Sequence, residues 1–153
     1  TASNKQKGNY GEYRADDNLI NNPKLKEVGY DLEQIGGKVP TSPDDKITKG
    51  IDGIYVNKNP NSNIKYVIDE SKFNTAQLGK TKKGIKQMSD EWLREKQGKR
   101  ILQAVNGDRR LKDDIIEALN NGAVEKVLSR VGKDGKVTTY RLNSNGEIIG
   151  FWP

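Results

Sequence analysis

An α/β fold (α+β) with a central mixed β-sheet flanked by helices is predicted by three observations. Runs of β-branched and aromatic residues at 51–56 and 64–73 flank an Asn/Pro-rich turn, which marks a hairpin. Segments whose apolar residues recur three and four apart separate this hairpin from the rest of the chain, which marks amphipathic helices. Three further β-type runs at 124–131, 137–142 and 147–152 are divided by Asp-Gly and Asn-Gly, the strongest short hairpin signals, so the C-terminus reads as a β-meander.

In chain order, residues 10–22 read as a helix with Ala15 and Leu19 on one stripe, ended by Asn22-Pro23. A loop-rich stretch follows, marked by Gly36-Gly37, Pro40 and Pro43, with a short strand at 30–35. After the 51–73 hairpin, Ile85, Met88 and Trp92 predict a helix over 85–96 that packs on the sheet. Leu111, Ile115, Ala118 and Leu119 share a face of a second helix over 108–120, with Asp108 as its N-cap and Gly122 as its stop. The outer edge of the meander is open to a partner strand.

At 153 residues the chain fits one domain able to bury about two-thirds of its unfolded surface without staples. Apolar content of 32% beside 31% charge would suit disorder if the apolar residues were scattered, but they cluster in periodic segments, so the chain folds with a large polar surface. The polar residues 1–7 read as a linker from something longer, and residues 8–153 as the domain. No apolar run approaches the ~20 residues needed to span a bilayer.

The chain has neither cysteine nor histidine. This excludes disulfides, zinc sites built on Cys or His, cysteine nucleophiles, Ser-His-Asp triads and histidine bases. Any catalysis must come from carboxylates, Lys, Arg, Tyr, Ser or a bound cation. The 27 Lys and Arg exceed the 21 Asp and Glu by 6, a balance that suits an anionic partner such as nucleic acid or equally an ordinary basic surface.

Asp52 lies in Gly50-Ile-Asp-Gly-Ile-Tyr-Val56, a run that should be largely buried, and the neighbouring strand holds Ile68-Asp-Glu-Ser-Lys-Phe73. Residues two apart on a strand share a face, about 6.6 Å apart, so Glu70 and Lys72 point the same way. Two acids and a lysine so placed can hold a divalent metal beside a cation, the equipment for hydrolysing a phosphodiester. Glu12 falls on the apolar stripe of the first helix, where a carboxylate needs a partner or a metal. Plainer readings stand beside these: Glu12 as a helix-start acid, Glu70 and Lys72 as a surface pair, and Asp52 as the acceptor of a turn hydrogen bond. Lys96, Lys99, Arg100, Arg109 and Arg110 gather five cations within fifteen residues, either a phosphate-contacting patch or a solvated surface.

The succession of helix acid Glu12, strand acid Asp52, hairpin turn, Glu70-x-Lys72 and a helix carrying Gln87 resembles the PD-(D/E)xK, or restriction-endonuclease-like, nuclease core. The resemblance spans about residues 8–95; Ile51 stands where that family often has proline. It implies that Asp52 and Glu70 ligate a divalent metal, with the Ser71 backbone carbonyl as a further ligand and Glu12 binding directly or through water. It implies that Lys72 orients the attacking water and that Gln87 positions Lys72 or a phosphate. Mg²⁺ is the expected ion, with Mn²⁺ or Zn²⁺ as alternatives. Three acids aimed at one spot repel one another, so metal should stabilise the protein.

Gly8-Asn-Tyr-Gly-Glu12, Gly50-Ile-Asp-Gly-Ile-Tyr55, Tyr66-Val-Ile-Asp-Glu-Ser-Lys72, Ala76-Gln-Leu78 and Lys86-Gln-Met-Ser-Asp-Glu-Trp92 together resemble the C-terminal nuclease domains of bacterial polymorphic toxins, including those of contact-dependent growth inhibition. The resemblance implies a metal-dependent endonuclease at the tip of a larger exported effector, acting in the target-cell cytoplasm and neutralised by a cognate immunity protein. DNA is the favoured substrate and tRNA the alternative. A non-catalytic nucleic-acid-binding module and a protein-interaction domain using the C-terminal strands are the readings of other classes.

Overall fold

The structure, a computed structural model, describes residues 2–37, 40–46 and 50–153. Helix α1 (Asn4–Asn21) starts at a capping box in which the Ser3 hydroxyl accepts from the Gln6 N–H at 3.1 Å and the Gln6 side chain accepts from the Ser3 N–H at 3.0 Å. Residues 4–7, read from their polarity as linker, are therefore the first turn of this helix. Gly11, Ala15 and Leu19 form its buried stripe. A short helix α2 (Pro23–Glu27) follows, with Pro23 at its first position and the Asn22 side chain as its cap.

Strands β1 (Leu32–Gly37), β2 (Gly53–Asn57) and β3 (Tyr66–Phe73) make an antiparallel unit, so the expected hairpin is present. The loop-rich stretch at 36–43 lies partly outside the described residues, at 38 and 39. Helices α3 (Asp90–Ala104) and α4 (Arg109–Asn120) then carry the chain to β4 (Val124–Val131), which pairs with β3 in parallel. A parallel neighbour requires such a long crossover. β5 (Val137–Leu142) and β6 (Ile148–Phe151) complete the meander, giving one mixed sheet of six strands in the order β1-β2-β3-β4-β5-β6.

Alternation along the strands builds two cores. Ile54, Tyr66, Ile68 and Leu128 face Trp92, Leu93, Ile101 and Ile115 of α3 and α4. Tyr55, Val67 and Val127 face Leu19, Leu25 and Trp152. The sheet thus lies between α1 and the α3–α4 pair, and continuing the β3 alternation sends Glu70 and Lys72 to the α3–α4 face and Asp69 and Ser71 to the α1 face.

Two boundaries differ from the spacing-based expectation. The helix predicted over 85–96 begins only at Asp90, capped by the Ser89 hydroxyl at 3.1 Å from the Trp92 N–H, because Met88 sits at φ +68° and breaks any helix before it. Ile85 and Met88 still pack into the core, from an irregular arm. Nor does the helix stop at Lys96. Residues 95–98 leave helical geometry and the helix then resumes to Ala104. Gly98, at φ +77°, lets α4 approach: a Cβ there would lie 3.1 Å from the Lys112 side chain and 3.2 Å from that of Ile116. Asp108 caps α4 as expected, accepting from the Leu111 N–H at 3.1 Å. Among the described residues no helix is long and apolar enough to cross a membrane.

Candidate active site

At the end of β3, a cleft of about 590 Å³ is lined by Glu12, Asp52, Glu70, Ser71, Lys72 and Gln87. Lys7, from the unexpected first turns of α1, lines it too. Register explains part of this convergence. Gly53 pairs with Asp69 across the antiparallel β2–β3 ladder, so one step further Asp52 falls opposite Glu70, at a spacing where side chains touch. Glu12 reaches the same place from α1, close enough to Asp52 for the two carboxyls to share a hydrogen bond.

Asp52 is held from two sides. The Ser71 N–H donates to its Oδ2 at 2.9 Å and the Ser71 hydroxyl reaches the same oxygen at 3.2 Å. The plainer reading of Asp52 as the acceptor of a turn hydrogen bond does not hold: its partner, Ser71, lies 19 residues away on the neighbouring strand, and the bond coexists with a place in the cleft. Behind Asp52 the chain is shaped by Gly37 at φ +85°, where a Cβ would stand 2.2 Å from the Asp52 carbonyl oxygen. Only glycine fits there.

Glu70 and Lys72 are not the surface pair of the plainer reading. Glu70 is 4% exposed, and the Lys72 ammonium lies 3.5 Å from its Oε2. The other oxygen, Oε1, is buried and accepts no N–H or O–H hydrogen bond among the described residues, although Glu70, like Glu12, lies close enough to Asp52 for the carboxyls to share a proton. Burial pushes the Glu70 carboxyl well above the usual carboxylate range, with the Asp52 charge adding to the rise and Lys72 opposing it. Burial likewise raises Glu12, to about 9, reinforced by Asp52 and Asp69 and opposed by Lys72. Without a cation, this cluster meets its mutual repulsion by holding protons.

Gln87 joins the cleft from the arm between β3 and α3. Its side-chain oxygen accepts from the Gly79 N–H at 3.2 Å, leaving the amide nitrogen as its free end. Lys96, Lys99, Arg100, Arg109 and Arg110, by contrast, do not line this cleft. Arg100 is engaged within its own helix: it stacks 4.6 Å over Trp92 and donates to the Trp92 carbonyl at 2.9 Å and to Glu95 at 2.8 Å. That pairing corrects its reading as a free phosphate contact. Lys96, Lys99, Arg109 and Arg110 are exposed around the α3 kink and the start of α4.

Two buried polar groups, Asp69 and Tyr55, and the half-buried Asp16 lie behind the site and were not expected from the sequence. Asp69, on the opposite face of β3 from Glu70, accepts from the Ser129 hydroxyl at 2.7 Å and is raised to about 8 chiefly by burial. Tyr55 donates to Asp16 at 2.7 Å, one helical turn beyond Glu12. The available signals were Asp16 at i+4 from Glu12 and Asp69 in a strand covered on both faces.

The donors here are all oxygen, which suits a hard dication such as Mg²⁺ or Mn²⁺ better than a soft one. Among the described residues no three Asp or Glu side chains stand together as a ready cage for a metal ion. The set expected to ligate together, Glu12, Asp52, Glu70 and the Ser71 carbonyl, is thus not assembled as a closed shell. An open site of one or two carboxylates completed by water still fits Mg²⁺, which keeps much of its hydration. The unpartnered Glu70 Oε1 is the atom that such an ion would satisfy.

Comparisons of the chain with protein-family models, with curated proteins and with solved structures find no match.

Proposed function

We propose that this cleft is the active site of a divalent-metal-dependent endonuclease built on a PD-(D/E)xK core. The observation that carries the reading is the placement of Glu12, Asp52, Glu70 and Lys72 around one opening, with a buried Glu70 oxygen left unsatisfied. A buried polar atom left without a hydrogen bond costs about 1–3 kcal/mol, and a cation at Oε1 would remove that cost.

Asp52 and Glu70 would hold the ion. When bound, it supplies Lewis-acid polarisation of a phosphodiester and a water of lowered pKa. The chain's own groups do the rest. Ser71 fixes the Asp52 carboxylate in one orientation, and Lys72, freed from Glu70, offers its ammonium to the phosphoryl oxygens as negative charge builds. Glu12, within hydrogen-bond reach of Asp52, would bind the ion directly or through a water. Gln87 presents its amide N–H groups toward a phosphate.

With the toxin resemblance, the reading extends to the C-terminal nuclease of an exported bacterial effector that acts in the target-cell cytoplasm. Its partners are nucleic acid, DNA ahead of tRNA, and an immunity protein whose acidic face would be steered onto a +6 domain. The test is direct. Incubation with plasmid and with total tRNA, in Mg²⁺, Mn²⁺ or Zn²⁺ and with or without EDTA, should give chelator-sensitive cleavage that Lys72→Met abolishes. Binding without cleavage under every metal would leave a non-catalytic module.

A further inference from the structure

Between β3 and α3 the chain forms an arm whose base, through Ala76 and Gln87, joins the acid cleft. Residues 80–86 close a small antiparallel hairpin: Lys80 bridges Lys86, the Thr81 N–H donates to the Ile85 carbonyl at 2.9 Å, and the Gly84 N–H donates to the Thr81 carbonyl at 2.9 Å. Its tip is Lys82-Lys83, with Gly84 at φ +83° completing the turn. Both limbs are bolted to β4. Arg130 donates to the carbonyls of Asn74 and Ala76 at 2.7 and 2.9 Å, and Lys126 donates to that of Met88 at 2.7 Å. The arm therefore stands on a fixed base at the rim of the acid cleft, which it lines with Ala76 and Gln87.

Its other side lines a second cleft of about 560 Å³ with Lys83, Lys86, Ser89, Arg94 and Asn145. The acids there are Asp90, which is matched by Lys126 at 2.7 Å and by Arg94 at 3.8 Å, and Glu91. The arm's own lysines, Lys80, Lys82, Lys83 and Lys86, enter no ion pair among the described residues, although Lys83 lies near enough to help hold Glu95 down. Cations without an ion pair among the described residues, on a hairpin anchored at both limbs whose base reaches the acid cleft and of which Lys83 and Lys86 line the second opening, match a chain of phosphates spaced along a backbone.

We infer that the 80–86 arm is the phosphate-backbone guide of this protein. A nucleic acid whose scissile phosphate occupies the acid cleft lays its neighbouring phosphates on Lys80, Lys82, Lys83 and Lys86 and continues into the second cleft. The inference rests on the nuclease reading and replaces the 96–110 cations as the main binding surface. The contact is with phosphate, so duplex DNA and folded RNA share it, and the experiment separates them.

The test uses the full chain carrying Glu70→Gln to hold cleavage off, with fluorescence anisotropy on labelled duplex DNA, single-stranded DNA and tRNA. Lys82→Ala with Lys83→Ala should weaken binding of the preferred nucleic acid about 10-fold or more near 50 mM salt, and lower the slope of log Kd against log salt by about 1.5–2. Both side chains are exposed at a turn, and an unchanged melting temperature will show that the fold is intact. Lys82→Glu with Lys83→Glu should deepen the loss. Unchanged affinity in the arm variants, or an equal loss in Lys99→Ala with Arg109→Ala and Arg110→Ala, would overturn the arm and leave the nuclease reading standing. No binding of any of the three nucleic acids by the parent would overturn both.

Discussion

Two buried acid–lysine groups lie on one face of the β3–β4 pair, and they are built in opposite ways. Lys126, beside Ile68 in the ladder, donates to the Met88 carbonyl at 2.7 Å and the Asn143 carbonyl at 2.9 Å, and has Asp90 2.7 Å away as its counter-ion. Glu70, beside Leu128 two positions on, has one oxygen 3.5 Å from Lys72 and the other unpartnered. Burial lowers the Lys126 pKa while Asp90 props it up; burial raises Glu70 and Asp52 raises it further. A saturated buried charge fastens elements together, here β4 to the start of α3 and to the turn after β5. An unsaturated one facing a cleft is a cost that only a ligand removes.

That contrast breaks first at Lys126. Lys126→Met should destabilise the fold by about 3 kcal/mol, read as a lower urea midpoint with unchanged slope, because it strands Asp90 and two carbonyls together. Glu70→Gln should do the reverse. It relieves repulsion in the metal-free protein, so stability should hold or rise, while Mg²⁺-dependent cleavage should fall by at least about 10²-fold. If Glu70→Gln unfolded the chain and Lys126→Met did not, the assignment of structure to one and chemistry to the other would be reversed.

Gly37 sharpens the comparison from behind. Gly37→Ala forces a Cβ to within 2.2 Å of the Asp52 carbonyl in a left-handed conformation, so it should cost about 1–3 kcal/mol of stability. It should also raise the metal concentration needed for half-maximal cleavage, because Asp52 must shift. A variant with lowered stability but an unaltered metal requirement would uncouple Asp52 from ion binding.

How much of this was legible in the sequence follows from the physics of each signal. The hairpin, the meander and the Asp108 cap were readable because alternation, Asp-Gly and Asn-Gly turns and capping act within a few residues. Asp52 and Glu70 were readable because acids interrupted β-type runs, and the ladder then set them opposite one another. Met88 and residues 96–98 were not, since their left-handed backbone is imposed by packing of the arm and of α4 rather than by local preference. Arg100 looked free because its partners, Trp92 and Glu95, meet it only when the helix kinks. Lys126 and Asp69 were invisible because their partners lie 17 to 60 residues away and meet them only in the folded sheet.

The smallest expected effect separates the two faces of β3 by titration. Glu12 is raised from 4.5 to about 9 and Asp69 from 3.8 to about 8, each mainly by burial. Unfolding returns both to ordinary carboxyls, which release their protons between those values, so the unfolded state binds fewer protons and stability must fall as pH rises. The contribution of these two groups in the metal-free protein should therefore be greatest below about pH 4 and be lost progressively as pH rises to about 9. Excess Mg²⁺ should flatten only part of that slope. An ion in the cleft displaces the protons held by Glu12 and Glu70, while Asp69, turned to the α1 face and bonded to Ser129, keeps its own. Asp69→Asn should remove the slope that remains in Mg²⁺ and leave the metal-induced rise in melting temperature intact. If it abolished that rise instead, Asp69 would belong to the ion's site, and the division of β3 into a chemical face and a supporting face would be wrong.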